Sequence, residues 1–362
     1  MMKKISVIII FTLIITVSFI YSGEKQNLWL KAISEKNIKV RFQLLEQFSD
    51  KYGKDKRFFK NLYINLTKTA YFLKDFDKTI QYGEKVLTVN DLEDNYKIEI
   101  YIYLANSYNV TKRDLDKAYQ YAGLVVDLAK TIKSGFGENE NLKKQINANY
   151  LAPALSIQSL ILYSKGKDNP EMLKNALHKT LEAFEFDKSV RTEKRIFSFA
   201  IALYKKDTAM INESLSAVEK IFHASEDKNP VYAYLIGQWY LKNKDRENAV
   251  KFISSAYSIK KRAKFAMKLG QLLHKSSPEK AIEYFAEAYL LDNSDMESNA
   301  YKYLRQLWYN KLAKGKPQSE QDKGFNEILT LAKTRLNPDP VIENQGSIDD
   351  SETDNSNSTD QT

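Results

Sequence analysis

Between Asn229 and Lys261 apolar side chains recur at helical spacing twice, on either side of a three-residue polar break. The first run, Val231 to about Lys242, comes after Asn229 and Pro230. Asparagine caps a helix by accepting from its first free N–H groups, and proline suits the first turn, where its missing N–H costs nothing. Asn243-Lys244-Asp245 makes the turn, with Asp245 placed to cap a second helix whose stripe is Ala249, Phe252, Ile253 and Ala256. Gly237, Ala249 and Ala256 are small where the two helices must come close. A hairpin of this size cannot bury its stripe alone, so it predicts similar neighbours.

Three other stretches fit the same scheme. Ala263 to Asn293 has Gly270 in place of Gly237, then Ser277 as cap, Pro278, Ala281, Phe285 and Ala288. Asn61 to Asn90 has Leu66, Tyr71, Phe76, Ile80 and Val86. Lys97 to Lys130 has Leu104, Ala105, Tyr108, Leu115, Ala118, Ala122 and Val125. The chain here resembles the tetratricopeptide repeat (TPR) family, a helix–turn–helix repeat of 34 residues. The Asn229 copy matches without a gap, through Ile236-Gly237, Tyr240, Ala249 and Ala256. The Lys97 copy has one extra residue in its turn, and the Ala263 copy is one residue short. In the Asn61 copy, Thr67, Thr79 and Gly83 replace the usual glycine, alanine and aromatic. The resemblance implies an all-α fold, a right-handed α-solenoid of stacked antiparallel helix hairpins, seven or eight in number, over residues 24–336. It implies no catalytic residue.

Other stretches keep the helical period with fewer small residues. Trp29, Leu30 and Ile33, then Phe42, Leu45, Phe48 and Tyr52, predict a degenerate first hairpin. Asn141 to Asp187 predicts two helices broken at Gly166-Lys167-Asp168-Asn169-Pro170, the second lined by Met172, Ala176, Thr180 and Ala183. Arg191 to Glu226 predicts another pair. Met296 to Leu336 predicts a terminal, atypical hairpin carrying Tyr303, Leu307 and Trp308, then Phe325, Ile328, Leu329 and Ala332. Gly135-Phe136-Gly137 lacks a third glycine, a preceding strand and a lysine-serine or lysine-threonine pair, so it reads as a connector.

The two ends differ from the body. Residues 1–23 put Lys3 and Lys4 ahead of an uncharged run, Ile5 to Ile20, with Ser22 and Gly23 after it. This is a cleaved signal peptide or a retained anchor. In either form it predicts that the rest of the chain is exported to the periplasm or cell envelope. Residues 337–362 hold seven acidic and no basic residues and little to bury, which predicts disorder.

Charge changes the picture more than bulk composition does. The net charge is +9, but without Lys3, Lys4 and the seven terminal acids the helical body holds 53 basic and 39 acidic residues. A basic body admits an anionic partner, with the acidic end competing for the same surface. The lysines are spread over every hairpin, so the excess also serves plain solubility. With no cysteine, disulfides, thiol catalysis and thiolate metal sites are excluded. His178, His223 and His274 are far apart and in no metal-binding spacing. The 23 tyrosines and 18 phenylalanines fall mostly on core stripes. Export argues against a nucleic-acid partner.

What remains is a scaffold for another protein or peptide, an acidic one included, with no cofactor, no metal and no catalytic activity. The rivals are a membrane-anchored structural subunit of an envelope assembly, held by residues 5–20, and a glycan or cell-wall recognition subunit. In the repeat family the first helices line an inner groove. That geometry places Asn61, Lys68, Tyr71, Phe72, Asn106, Asn109, Tyr234, Gln238, Leu241, Lys242, Lys264, Gln271 and His274 on the groove. Amides would meet a peptide backbone there, and lysines its acids.

Overall fold

In a computed structural model of the protein, residues 23–337 are described, and no strand occurs among them. The segments read as a targeting signal and as an acidic end lie, but for Gly23 and Asn337, outside the described residues. The helices are α1 (23–34), α2 (Ile38–Tyr52), α3 (Lys56–Phe72), α4 (Phe76–Val86), α5 (Asp94–Thr111), α6 (Leu115–Ser134), α7 (Glu140–Ile146), α8 (Ala152–Lys165), α9 (Pro170–Phe184), α10 (Val190–Lys206) and α11 (Ile211–Ala224). They continue as α12 (Pro230–Lys242), α13 (Arg246–Ile259), α14 (Ala263–Leu273), α15 (Pro278–Leu291), α16 (Asn299–Leu307) and α17 (Gln318–Leu336). Helices pack in consecutive pairs, α3 on α4, α5 on α6, α8 on α9, α10 on α11, α12 on α13 and α14 on α15, and each pair packs on the next within its unit. The chain forms two compact units, which meet in sequence between Lys228 and Asn229.

In the first unit the turns between paired helices are held by backbone geometry. Lys74 and Lys112 adopt φ of 61° and 57°, the left-handed conformation that ends a helix and turns the chain back. Both turns hold three residues, 73–75 and 112–114, so the extra residue that the sequence predicts for the α5–α6 turn is absent; α5, at 18 residues against 17 in α3, runs longer instead. Each second helix then starts on an aspartate cap: Asp75 accepts from Lys78 N, and Asp114 from Lys117 N. Gly83 lies against Leu104, where a Cβ would come within 2.8 Å of Cδ2. A polar ladder joins successive second helices. Glu46 accepts from Lys78 Nζ at 2.6 Å and Tyr82 Oη at 2.9 Å. One hairpin on, Glu84 accepts from Lys117 Nζ at 3.2 Å and Tyr121 Oη at 2.9 Å, and also from Tyr108 Oη at 2.7 Å. Both times the lysine and tyrosine stand four residues apart, one helical turn. Burial alone would raise the Glu84 carboxyl, but its three donors outweigh that and hold it below the usual carboxylate range.

Two features of this unit depart from the sequence pattern. In α1 the buried side is not Leu30 and Ile33, which are 57% and 40% exposed, but Ala32, with Trp29 packed 5.2 Å from Phe48 and 5.4 Å from Phe58. The helix is rolled to present its largest ring to the core. Between α7 and α8 the helix runs on through Asn147–Leu151 as a π turn. Pro153 supplies the cause, since it has no N–H to give the preceding turn and crowds the carbonyl four residues back. The wider turn relieves both.

The second unit holds the hairpin that fits the repeat best. Asn229 accepts from Val231 N and Asp245 from Asn248 N, and Lys244 takes φ of 62°. Gly237 is buried; a Cβ there would lie 2.5 Å from Ile253 Cγ1. Gly270 meets the Phe285 ring in the same way, at 2.5 Å. Ser277, expected to cap α15, makes no side-chain capping bond. The terminal pair is not a simple hairpin. α16 and α17 both pack on α15, and a second π turn, Trp308–Leu312, joins α16 to the loop before α17. Trp308 Nε1 donates to Gln321 O at 2.8 Å, and Gly324 leaves room for its ring. Tyr303, read as core, is 42% exposed; Leu304 is buried in its place, and Leu307 is buried as its spacing predicts.

Candidate functional site

In the first unit a cleft of about 380 Å³ opens between α5, α8 and the start of α10. Its walls reflect helical spacing. Ile102, Asn106, Asn109 and Val110 share one face of α5, and Ala152, Ser156 and Leu160 share one face of α8. The π turn offsets α8 from α7 and brings Ala148 and Pro153 onto the same rim. Arg191, Thr192 and Arg195 approach from the first turns of α10, and Tyr71 from the end of α3.

Three of the sequence-predicted residues therefore meet here: Tyr71, Asn106 and Asn109. Asn106 Nδ2 donates to Tyr71 Oη at 3.0 Å, which fixes the ring against the amide. Tyr71 also stacks on Tyr103 at 4.3 Å and 27°. Burial raises both phenols, more strongly at Tyr103, so both are neutral hydroxyls across the ordinary pH range. Asn109 is only 8% exposed, and its Oδ1 accepts from Lys112 Nζ at 3.3 Å. Phe72 sits beside the cleft, 55% exposed, with its ring 6.0 Å from Tyr103.

The arginines carry the charge of the site. Neither Arg191 nor Arg195 makes an ion pair among the described residues. Arg195 is half-buried, and desolvation, with Arg191 nearby, pulls its guanidinium below its usual value, while Asp187 acts in the opposite sense. It stays charged, since arginine does not lose its proton in proteins. Asp187 is already engaged: it accepts from Ser189 N at 3.1 Å, Ser189 Oγ at 3.0 Å and Thr192 Oγ1 at 2.8 Å, bonds that fasten the start of α10. A desolvated, unpaired cation is costly unless something pairs with it, and its geometry suits a carboxylate or other planar anion.

The remaining predicted residues are not gathered here. Lys68 is tied to Glu99 at 3.4 Å. Asn61 is exposed at the outer part of α3 and does not line the cleft. In the second unit Tyr234 lies 4.8 Å from the Phe265 ring, with Lys264 Nζ 5.0 Å from the Tyr234 ring. Leu241 is half-buried, Lys242 is exposed, and Gln238 buries its Nε2 with no hydrogen-bond partner. His274 Nδ1 faces Gln271 O at 2.7 Å and lines a separate pocket of about 330 Å³. Sequence reasoning missed Arg191, Arg195 and Pro153. A signal for each is present: two arginines one turn apart straight after a serine cap, and a proline inside an otherwise continuous helix.

No family model and no curated protein matches the chain. Several solved structures are similar in their helical hairpins. The C-terminal part of a TPR repeat-containing protein from Cytophaga hutchinsonii is 13% identical, over 83% of this chain and 98% of its own, with a TM-score of 0.42. A tetratricopeptide repeat protein from Parabacteroides merdae is 16% identical over 86% of this chain and 99% of its own, with a TM-score of 0.35. YrrB, described as a TPR protein with an unusual peptide-binding site, is 17% identical over 63% of this chain and 97% of its own, with a TM-score of 0.36.

Proposed function

We propose that the protein is a non-catalytic scaffold that holds an extended, acidic segment of another protein in the α5–α8–α10 cleft. The observation that carries this reading is the unpaired Arg191 and Arg195 at the mouth of a cleft with apolar walls, flanked by Tyr71 and the amides of Asn106 and Asn109. Apolar walls supply contact area, amides meet a backbone, and the arginines select acids. The uncharged run Ile5 to Ile20 behind Lys3 and Lys4 supports an exported protein, and we place its partner in the periplasm or envelope.

The test is selection of peptide ligands from a random library against the full chain, with affinities then measured on variants. Arg195→Ala should weaken selected acidic peptides by roughly tenfold or more, the loss of a hydrogen bond to a charged group. Tyr71→Ala should act through faster dissociation. Ligands that lose as much with Lys251→Glu and Lys280→Glu, on second helices, would reduce the reading to general charge attraction.

A further inference from the structure

The pocket of the second unit has a different character from the cleft. It is lined by His274 and Lys275 after α14, Phe285 of α15, Tyr303, Gln306 and Leu307 of α16, and Asn310 and Lys311 of the π turn. Phe285 and Tyr303 stack at 5.3 Å and 15°, giving a flat aromatic wall open to solvent on the Tyr303 side. No carboxylate is among the lining residues, and three of the eight are basic types. Lys311 Nζ donates to His274 O at 3.4 Å, which holds its ammonium at the rim with donors to spare. Lys275 and Lys311 form no ion pair among the described residues, whereas in the same unit Lys302 pairs with Glu297 and Arg335 with Glu283 and Glu287.

We propose that this pocket is a docking site for the chain's own acidic segment, residues 338–362, and in particular for Ile348-Asp349-Asp350. Three observations choose that occupant. The first is charge: the segment has seven acids when counted from Asn337, and no base, to set against a basic pocket. The second is the pairing of chemistries within it, since the segment sets apolar Ile348 beside two aspartates and the pocket combines an aromatic wall with two lysines. The third is reach. Arg335 ties the end of α17 to Glu283 and Glu287, which bracket Phe285 on α15. Residues two apart on a helix point to nearly opposite sides, and Lys261 Nζ donates to Arg335 O beside the start of α14, so the path to His274 leads half-way around one helix, roughly 16–19 Å, and along the eleven residues of α14, roughly 16 Å. Ile348 lies eleven residues beyond Asn337, a tether of roughly 36–40 Å when extended, long enough to cover both legs of that path.

Tethering makes the contact effectively intramolecular, so weak individual pairs suffice to fill the pocket. An external acidic ligand then has to displace the segment, and its apparent affinity falls by the fraction of pockets left open. Docking at this pocket does not depend on the cleft of the first unit.

Carbodiimide cross-linking of the full chain, read by peptide mass spectrometry, tests it directly, because it joins a carboxylate to an amine only when the two touch. The expected result is that Asp349, Asp350 or Glu352 links to Lys275 or Lys311 within single chains, in preference to Lys302, Lys314, Lys316 or Lys333. These links should fade as ionic strength rises from about 0.1 M to about 1 M, where the screening length falls from about 10 Å to about 3 Å. Tyr303→Ser, an exposed position, should reduce them while leaving both lysines in place. Links spread evenly over the control lysines, links found only between two chains, or yields unchanged by Tyr303→Ser would each overturn the proposal.

Discussion

The α12–α13 hairpin and the stretch from α7 to α10 use similar materials to opposite ends. In α12–α13 small residues sit at every close approach, aspartate and asparagine cap both helices, and the aromatic and aliphatic side chains are spent on packing. In α7 to α10 a proline interrupts the helix, a π turn absorbs it, and two arginines remain without ionic partners beside an open cleft. The regular hairpin satisfies its charged groups and leaves one buried amide nitrogen, Gln238 Nε2, without a partner. Where the repeat departs from regularity, charged groups are left over, and those are what a partner can use.

The largest effect should come from disturbing the regular half of this comparison. Gly237→Leu drives a side chain into Ile253 and the Ala249 carbonyl, at a cost of roughly 1–3 kcal/mol, read as a lowered thermal midpoint. A cost near zero would show that α12 and α13 are not packed as described. Gly123→Ala in α6 is the sharpening control. A Cβ there meets only Gln158 Nε2, at an ordinary 3.6 Å, so helix propensity should dominate and stability should rise by about 0.5–1 kcal/mol.

Arg195→Met bears on the irregular half. It removes a desolvated, unpaired charge and keeps apolar bulk, so stability should hold or rise by about 1 kcal/mol while affinity for acidic peptides falls. A variant that loses stability instead would make Arg195 a structural residue. The smallest effect should come from deleting residues 338–362: the melting midpoint should shift by less than it does for Gly237→Leu, since exposed charge pairs contribute roughly 0.2–1 kcal/mol each. Intact mass of the native protein should begin at Gly23 or Glu24; a mass that includes Met1 or Met2 would point to a retained anchor.

The sequence shows the fold where spacing is strict. Asn229, Pro230, Gly237, Asp245 and Ala249 each state a local requirement, and the hairpin they predict is present within two residues at either end. It is less informative where a face depends on neighbours. Leu30 and Ile33 sit at helical spacing yet lie on the exposed side of α1, because the position of Trp29 over Phe48 and Phe58 is decided by packing. The candidate site shows the same division. Family geometry reaches Tyr71, Asn106 and Asn109, all on or beside first helices. It does not reach Arg191 and Arg195, whose approach to α5 depends on a π turn and on three bonds to Asp187, or Lys311, which a second π turn carries to its pocket.

The central claim is that the irregular stretch of the first unit, and not the regular hairpins, receives the partner. Hydrogen exchange of the full chain with and without a library-selected acidic peptide measures this most directly. The account predicts slowed exchange across residues 147–160 and 187–195 and in the cleft-facing part of α5, with little change over 230–259. Protection centred on 230–259, with residues 147–160 and 187–195 unaffected, would contradict it.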